Sequence, residues 1–187
     1  MLLASLLACT GGLPWWHEGS SHDTSADTAE DLCIDGCFCD AAAITVGGTV
    51  SQEDGRRIYA PVEDDSAATM IHGPQGGWHV LASALAANTD DIIEIVYSIT
   101  VDETATLVSW NRYYVQMVRS DECSAYYPGM YGYLDVTTLA SGDADTPPEL
   151  LAGKGLTLRM DVTDQTGRKA TDELHVVAAL DAADEPD

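Results

Sequence analysis

From Ala43 onward apolar and polar residues alternate with a period of two, the spacing of a strand with one face buried and one face wet. Ile93, Ile95, Tyr97, Ile99 and Val101 alternate with Glu94, Ser98, Thr100 and Asp102, and Val96 alone breaks the polar face. Leu156, Leu158, Met160 and Val162 alternate in the same way with Thr157, Arg159, Asp161 and Thr163. Segments 43–50, 57–62, 67–72, 78–86, 106–118, 131–139 and 170–180 are rich in Val, Ile, Thr, Tyr and Trp and are expected to be further strands. No stretch carries a 3.6-residue apolar stripe longer than two turns. About seven to nine short strands, separated by turns containing Gly, Pro and Asp, predict an all-β fold, an antiparallel β-sandwich.

Two turns fix the expected pairing locally. In Met70-Ile71-His72-Gly73-Pro74-Gln75-Gly76-Gly77-Trp78-His79, Pro74 suits the second position of a type I turn and Gly76 the left-handed position after it. Gly73 then pairs with Gly77, His72 with Trp78 and Ile71 with His79, so the two histidines point to opposite faces. Two functions fit this hairpin: a cross-strand His72–Trp78 pair, or a recognition loop at the end of the sandwich with an aromatic platform. The motif resembles a segment of predicted exported lipoproteins of unknown role, which implies export but no activity. Residues 156–178 read as a strand, a turn at Thr163-Asp164-Gln165-Thr166-Gly167, and a returning strand. They resemble the last hairpin of bacterial immunoglobulin-like and cadherin-like domains, a resemblance that implies fold rather than function.

Ahead of the strands the pattern differs. Leu2 to Ala8 form a short apolar run, far too short to span a bilayer, and it ends on Cys9. Leu6-Leu7-Ala8-Cys9 resembles a bacterial lipobox. The resemblance implies a signal peptide at 1–8, lipidation of Cys9 and membrane attachment through that lipid; Thr10 in the next position implies the outer membrane. Residues 9–32 mix Gly, Ser, Thr and acids without a period and read as a flexible tether of about 25 to 30 Å. Trp15 and Trp16 within it are either an interfacial pair beside the anchor or a docking motif. A single domain is expected over 33–183, followed by a short tail at 184–187.

Charge narrows the partners. The chain has 31 Asp and Glu against 8 Lys and Arg, a net charge of −23, and residues 1–40 hold seven acids and no base. That field repels nucleic acid, whose binding depends on cations meeting phosphate. It also disfavours anionic membrane surfaces, which leaves lipid for attachment and an envelope protein as the expected partner. With Cys9 assigned to lipid, Cys33, Cys37, Cys39 and Cys123 remain, an even set expected to form two disulfides. A Cys37–Cys39 bridge closes too tight a ring, so Cys123 is expected to pair with Cys37 or Cys39 and Cys33 with the other.

Chemistry-bearing patterns are sparse. Cys33-x3-Cys37-x-Cys39 lacks the spacing of structural zinc, and no metal or other cofactor is expected. Cys123-Ser-Ala-Tyr126 through Met130 resembles the ligand loop of blue-copper sandwiches, with Tyr126 where a histidine belongs; His72, His79 or His175 would have to substitute. Asp143, Asp145, Asp161 and Asp164 are the carboxylates available for calcium. Hydrolase, Walker and dinucleotide motifs are absent. No catalytic residue is assigned. The chain is expected to be an envelope-anchored binding or structural module, with a copper-type sandwich and an envelope hydrolase as the alternatives.

Overall fold

The computed structural model describes residues 41–73, 76–139 and 146–181. Cys9, the tether with Trp15 and Trp16, Cys33, Cys37, Cys39, Pro74, Gln75, Asp143, Asp145 and the 184–187 tail lie outside the described residues. The described elements are β1 (Ala43–Ser51), β2 (Arg57–Ala60), β3 (Ser66–His72), β4 (Trp78–Ala87), β5 (Ile92–Val101), β6 (Thr106–Gln116), β7 (Val118–Arg119), β8 (Ser124–Tyr133), α1 (Pro147–Leu151), β9 (Gly155–Asp164) and β10 (Lys169–Leu180).

The fold is an all-β sandwich made by one sheet that doubles over on itself. Its corner is β4. One edge of β4 is shared: Ser83–Ala87 pairs with β1 and Trp78–Val80 with β3, while the other edge pairs with β8. One half therefore runs β2-β1-β4-β8-β7, and the other runs β3-β10-β9-β5-β6. The halves face each other across the core, where Gly132 on β8 lies against Ile99 and Tyr97 on β5.

The alternation in the sequence is what fills this core. Ile93, Ile95, Tyr97, Ile99 and Val101 of β5 are all buried, as are Leu156, Leu158, Met160 and Val162 of β9. Opposite them Val80, Ala82, Ala84 and Ala86 of β4 form a row of small side chains. Tyr97 is fully buried and its hydroxyl has no hydrogen-bond partner among the described residues. Burial pushes that phenol far above its ordinary pKa. Tyr97→Phe removes an unsatisfied polar atom, and is expected to leave stability unchanged or raise it by about 1 kcal/mol. Urea denaturation checks this: a clear loss of stability would reveal a partner for the hydroxyl.

The structure corrects the strand map in three places. The expected antiparallel sandwich contains one parallel pair, β3 with β10, in register from Ser66 with Val176 to Met70 with Leu180. Segment 131–139 is not one strand: β8 starts at Ser124, ends at Tyr133, and gives way to turns. Pro128 and Gly129 gave that segment a loop-like sequence, but they form a bulge in which the register with β4 shifts between Ala82 and Ala84. Gly129 takes a φ of 70°, and its N–H donates to the hydroxyls of Thr49 and Ser83. The third change is α1, a single helical turn opened by Pro147, with Glu149 accepting from the Thr146 N–H at 2.7 Å.

Candidate functional site

The β3–β4 hairpin forms in the register that its glycines predict. Ile71 opposes His79 and His72 opposes Trp78. The Gly73 N–H donates to the Gly77 carbonyl at 2.9 Å, and Gly76 and Gly77 have φ values of 76° and 104°, where a side chain would be strained. The His72 and Trp78 rings lie 4.9 Å apart, and the two histidines take opposite faces.

His79 is buried in an aromatic nest. Tyr131 meets it edge-on at 4.8 Å, Tyr133 stands at 6.1 Å, and the two tyrosines stack at 5.8 Å. Gly73 lies over the imidazole, and a Cβ there would sit 3.4 Å from Cε1. Burial first, then the charge of nearby Arg57 and the neighbouring His72 ring, holds the His79 pKa below the ordinary histidine value. The ring is therefore neutral at pH 7 and acts as a packing group. Tyr113 donates its hydroxyl to the Tyr131 carbonyl, which fastens the nest to β6.

Beside the nest the sheet is open. β1 pairs with β4 only as far as Gly47, then turns to pair with β2 from Gly48. The glycines permit this turn: a Cβ on Gly47 would lie 2.4 Å from the Tyr59 ring, and one on Gly48 2.8 Å from Val62. The turn leaves a cleft of about 580 Å³ between Gly47–Thr49 and Ala67–Thr69, with the buried side chains of Leu158, Leu174 and Val176 at its base. Arg57 stands at the rim. No carboxylate lies within 4.0 Å of its guanidinium among the described residues, and its Nη1 donates weakly to the Tyr131 hydroxyl at 3.4 Å.

A second constellation sits on the outer face of the other half. Thr157 opposes His175 across the β9–β10 hairpin. The Thr157 hydroxyl donates to Asp102 at 2.6 Å and lies 3.0 Å from His175 Nδ1; Asp102 is 3.8 Å from the same nitrogen. Residue types of a nucleophile, base and carboxylate are thus present, but the hydroxyl proton points at Asp102, so His175 is not placed to withdraw it. Gly155 makes room for this carboxylate, since a Cβ there would lie 2.7 Å from Asp102 Oδ2.

No family model matches the chain, and no curated protein matches its sequence. Among solved structures the chain is similar to the CooA pilin subunit from enterotoxigenic Escherichia coli. The two share 12% identity over 76% of this chain and 99% of that one, with a TM-score of 0.36.

Among the described residues the metal candidates of the sequence do not come together. Cys123 immediately precedes Ser124, which pairs with Ala87, whereas His79 pairs with Tyr133 at the far end of β8. Nine strand residues separate the two ends, about 30 Å. Asp161 is taken by Arg159 and Thr171, and Asp164 by Thr166 and Arg168. Among the described residues no three His, Cys, Asp or Glu side chains converge to hold a metal ion. Sequence reading missed Arg57 and the Asp102–Thr157–His175 group. Pairing of Thr157 with His175 follows from counting back from the Gly167 turn, but nothing local brings Asp102 or Arg57 to these places.

Proposed function

We propose that this protein is a non-catalytic binding or structural module, anchored in the cell envelope through a lipid on Cys9. The observation that carries the binding role is the cleft at the β1 turn. It reaches down to the apolar side chains of Leu158, Leu174 and Val176, and it lies beside a hairpin and aromatic nest that hold the surrounding backbone in place. The enzyme alternative has less support, because the one group of suitable residue types directs its hydroxyl proton away from the imidazole. The copper alternative has less still, given the separation of Cys123 from His79.

Export is supported by the start of the domain. Asn88 donates its side-chain amide to the Ala41 carbonyl at 3.1 Å and its backbone N–H to the Cys123 carbonyl at 3.0 Å. Ala41 thus lies beside Cys123, and Cys39 is only two residues upstream. That neighbourhood favours the Cys123 bridge to Cys39 or Cys37, with Cys33 taking the other. Mass spectrometry of protein from its native host tests both points. The expected product begins at a lipid-modified Cys9 and has no alkylatable thiol among Cys33, Cys37, Cys39 and Cys123. An unmodified Met1 would overturn the anchoring, and four free thiols would overturn the exported compartment.

A further inference from the structure

The outer face of the β5-β6-β9-β10 half reads in rows across the strands. Leu107, Thr100, Thr157 and His175 form one row; Trp110, Ser98, Arg159 and Glu173 the next; Arg112, Val96, Asp161 and Thr171 a third; Tyr114, Glu94, Thr163 and Lys169 a fourth. Four of the large apolar side chains that stand exposed, Ile92, Leu107, Trp110 and Tyr114, lie on this one face of one hairpin. Trp110 is 54% exposed and Tyr114 70%. Exposed rings gathered on one face mark a contact surface more than scattered ones do.

We propose that this face binds a neutral polysaccharide chain, with sugar rings stacked on Trp110 and Tyr114 and hydroxyls held in the depression beside them. This deepens the binding-module reading and rests on it. The depression, about 450 Å³, is lined by Thr100, Thr157, Arg159, Glu173 and His175, so it shares the Trp110 row. It offers hydroxyl, guanidinium, carboxylate and imidazole groups side by side. A sugar presents apolar C–H faces to rings, and hydroxyls that both donate and accept; that pairing of needs is what this face supplies. The two rings are four residues apart on one strand, about 13 Å, so a chain of several sugars is needed to touch both. Arg112 packs on the Trp110 indole at 5.4 Å and holds it in place while leaving it exposed.

Charge decides the class of partner. The Arg159 guanidinium is bonded to Asp161 and Glu173 at 2.7 and 2.6 Å, and a protein partner would have to bury this web at a desolvation cost. The centres of protein interfaces are poor in such charge, whereas sugar hydroxyls can replace the water around it. A net charge of −23 repels acidic polymers and leaves neutral ones.

Calorimetry and tryptophan fluorescence on the purified full chain test the proposal, with hexasaccharides of glucose, mannose and N-acetylglucosamine and an oligogalacturonate as the acidic probe. At least one neutral hexasaccharide is expected to bind saturably. Trp110→Ala and, separately, Tyr114→Ala should each weaken it by about tenfold, while Val118→Ala, an exposed apolar side chain on β7, leaves it unchanged. Using two exposed positions keeps the test open if one variant fails to fold. Absence of binding at about 10 mM sugar, binding indifferent to both substitutions, or preference for the acidic probe would overturn the glycan site. So would a protein captured through Trp110 with no sugar bound. The cleft and the lipid anchor stand apart from these results. Cleavage of a bound hexasaccharide would uphold the site and overturn the non-catalytic reading.

Discussion

Asp164→Ala is expected to cost about 3 to 5 kcal/mol of folding free energy, the range for stripping a buried charge of its partner. Asp164 closes the β9–β10 turn with a side chain that is fully buried. Its carboxylate accepts from the Thr166 N–H and hydroxyl at 3.0 and 2.8 Å, and from the Arg168 N–H and Nε at 2.9 and 2.8 Å. Arg168 Nη2 adds an ion pair at 2.7 Å with only 22% of its side chain exposed. Removing the carboxylate takes from that guanidinium its nearest partner, leaving Asp90 at 3.8 Å, and takes the acceptor from three backbone or hydroxyl donors at once. Asp164→Asn keeps one acceptor and the shape, so it should fall between wild type and alanine.

The same residue gives a signed pH dependence. Burial alone would raise the Asp164 pKa, but the hydrogen bonds from Thr166 and Arg168 and the guanidinium charge outweigh it and hold the pKa below the usual carboxylate value. A depressed folded-state pKa means that the stabilisation is complete above the unfolded-state value, near 4, and is lost as pH falls through the folded one. Urea midpoints measured from about pH 6 to pH 2 should therefore drop for wild type and drop less steeply for Asp164→Ala. Parallel slopes would show that the carboxylate is not specially stabilised.

Gly132→Val is expected to destabilise by about 3 kcal/mol or more, by overfilling the core. Gly132 lies on β8 where the two halves of the sheet face each other. A Cβ there would stand 2.5 Å from Ile99 Cδ1 and 2.9 Å from Tyr97 Cε1. Both neighbours are wholly buried and have little room to move. Gly132→Ala should cost less, and combining it with Ile99→Val, which deletes the clashing methyl, should recover part of the loss. A double-mutant cycle reads that coupling directly; strict additivity would place the clash elsewhere.

How much of this was legible in the sequence depends on how local the cause was. The β5 and β9 cores followed from alternation, because a period of two puts every second side chain on one face. The register of the β3–β4 hairpin followed from counting outward from its glycine turn, since a tight turn leaves one pairing, and the β9–β10 hairpin was legible as two strands about the Gly167 turn. β8 was hidden by Pro128 and Gly129, which usually mark loops and here make a bulge. The pairing of β3 with β10 had no local signal, and neither did the placing of Arg57 by Tyr131. The aromatic row on β6 was blurred because Trp110, Arg112 and Tyr114 sit on an outer face where alternation predicts polar groups.

The parallel pairing of β3 with β10 sets when this molecule can fold. β10 is the last strand described, and it supplies both the neighbour that β9 needs and the link that ties the inner half back to β3. Until Lys169–Leu180 has been synthesised, β3 has only its short pairing with β4, and the β9–β5–β6 portion has no strand pairing with the rest of the sheet among the described residues. A nascent chain that stops short of β10 therefore carries an incomplete sheet. The sheet closes only once β10 is available, and slowly, as expected for contacts so far apart in sequence. A C-terminal truncation that removes β10 should leave an aggregation-prone chain rather than a smaller domain.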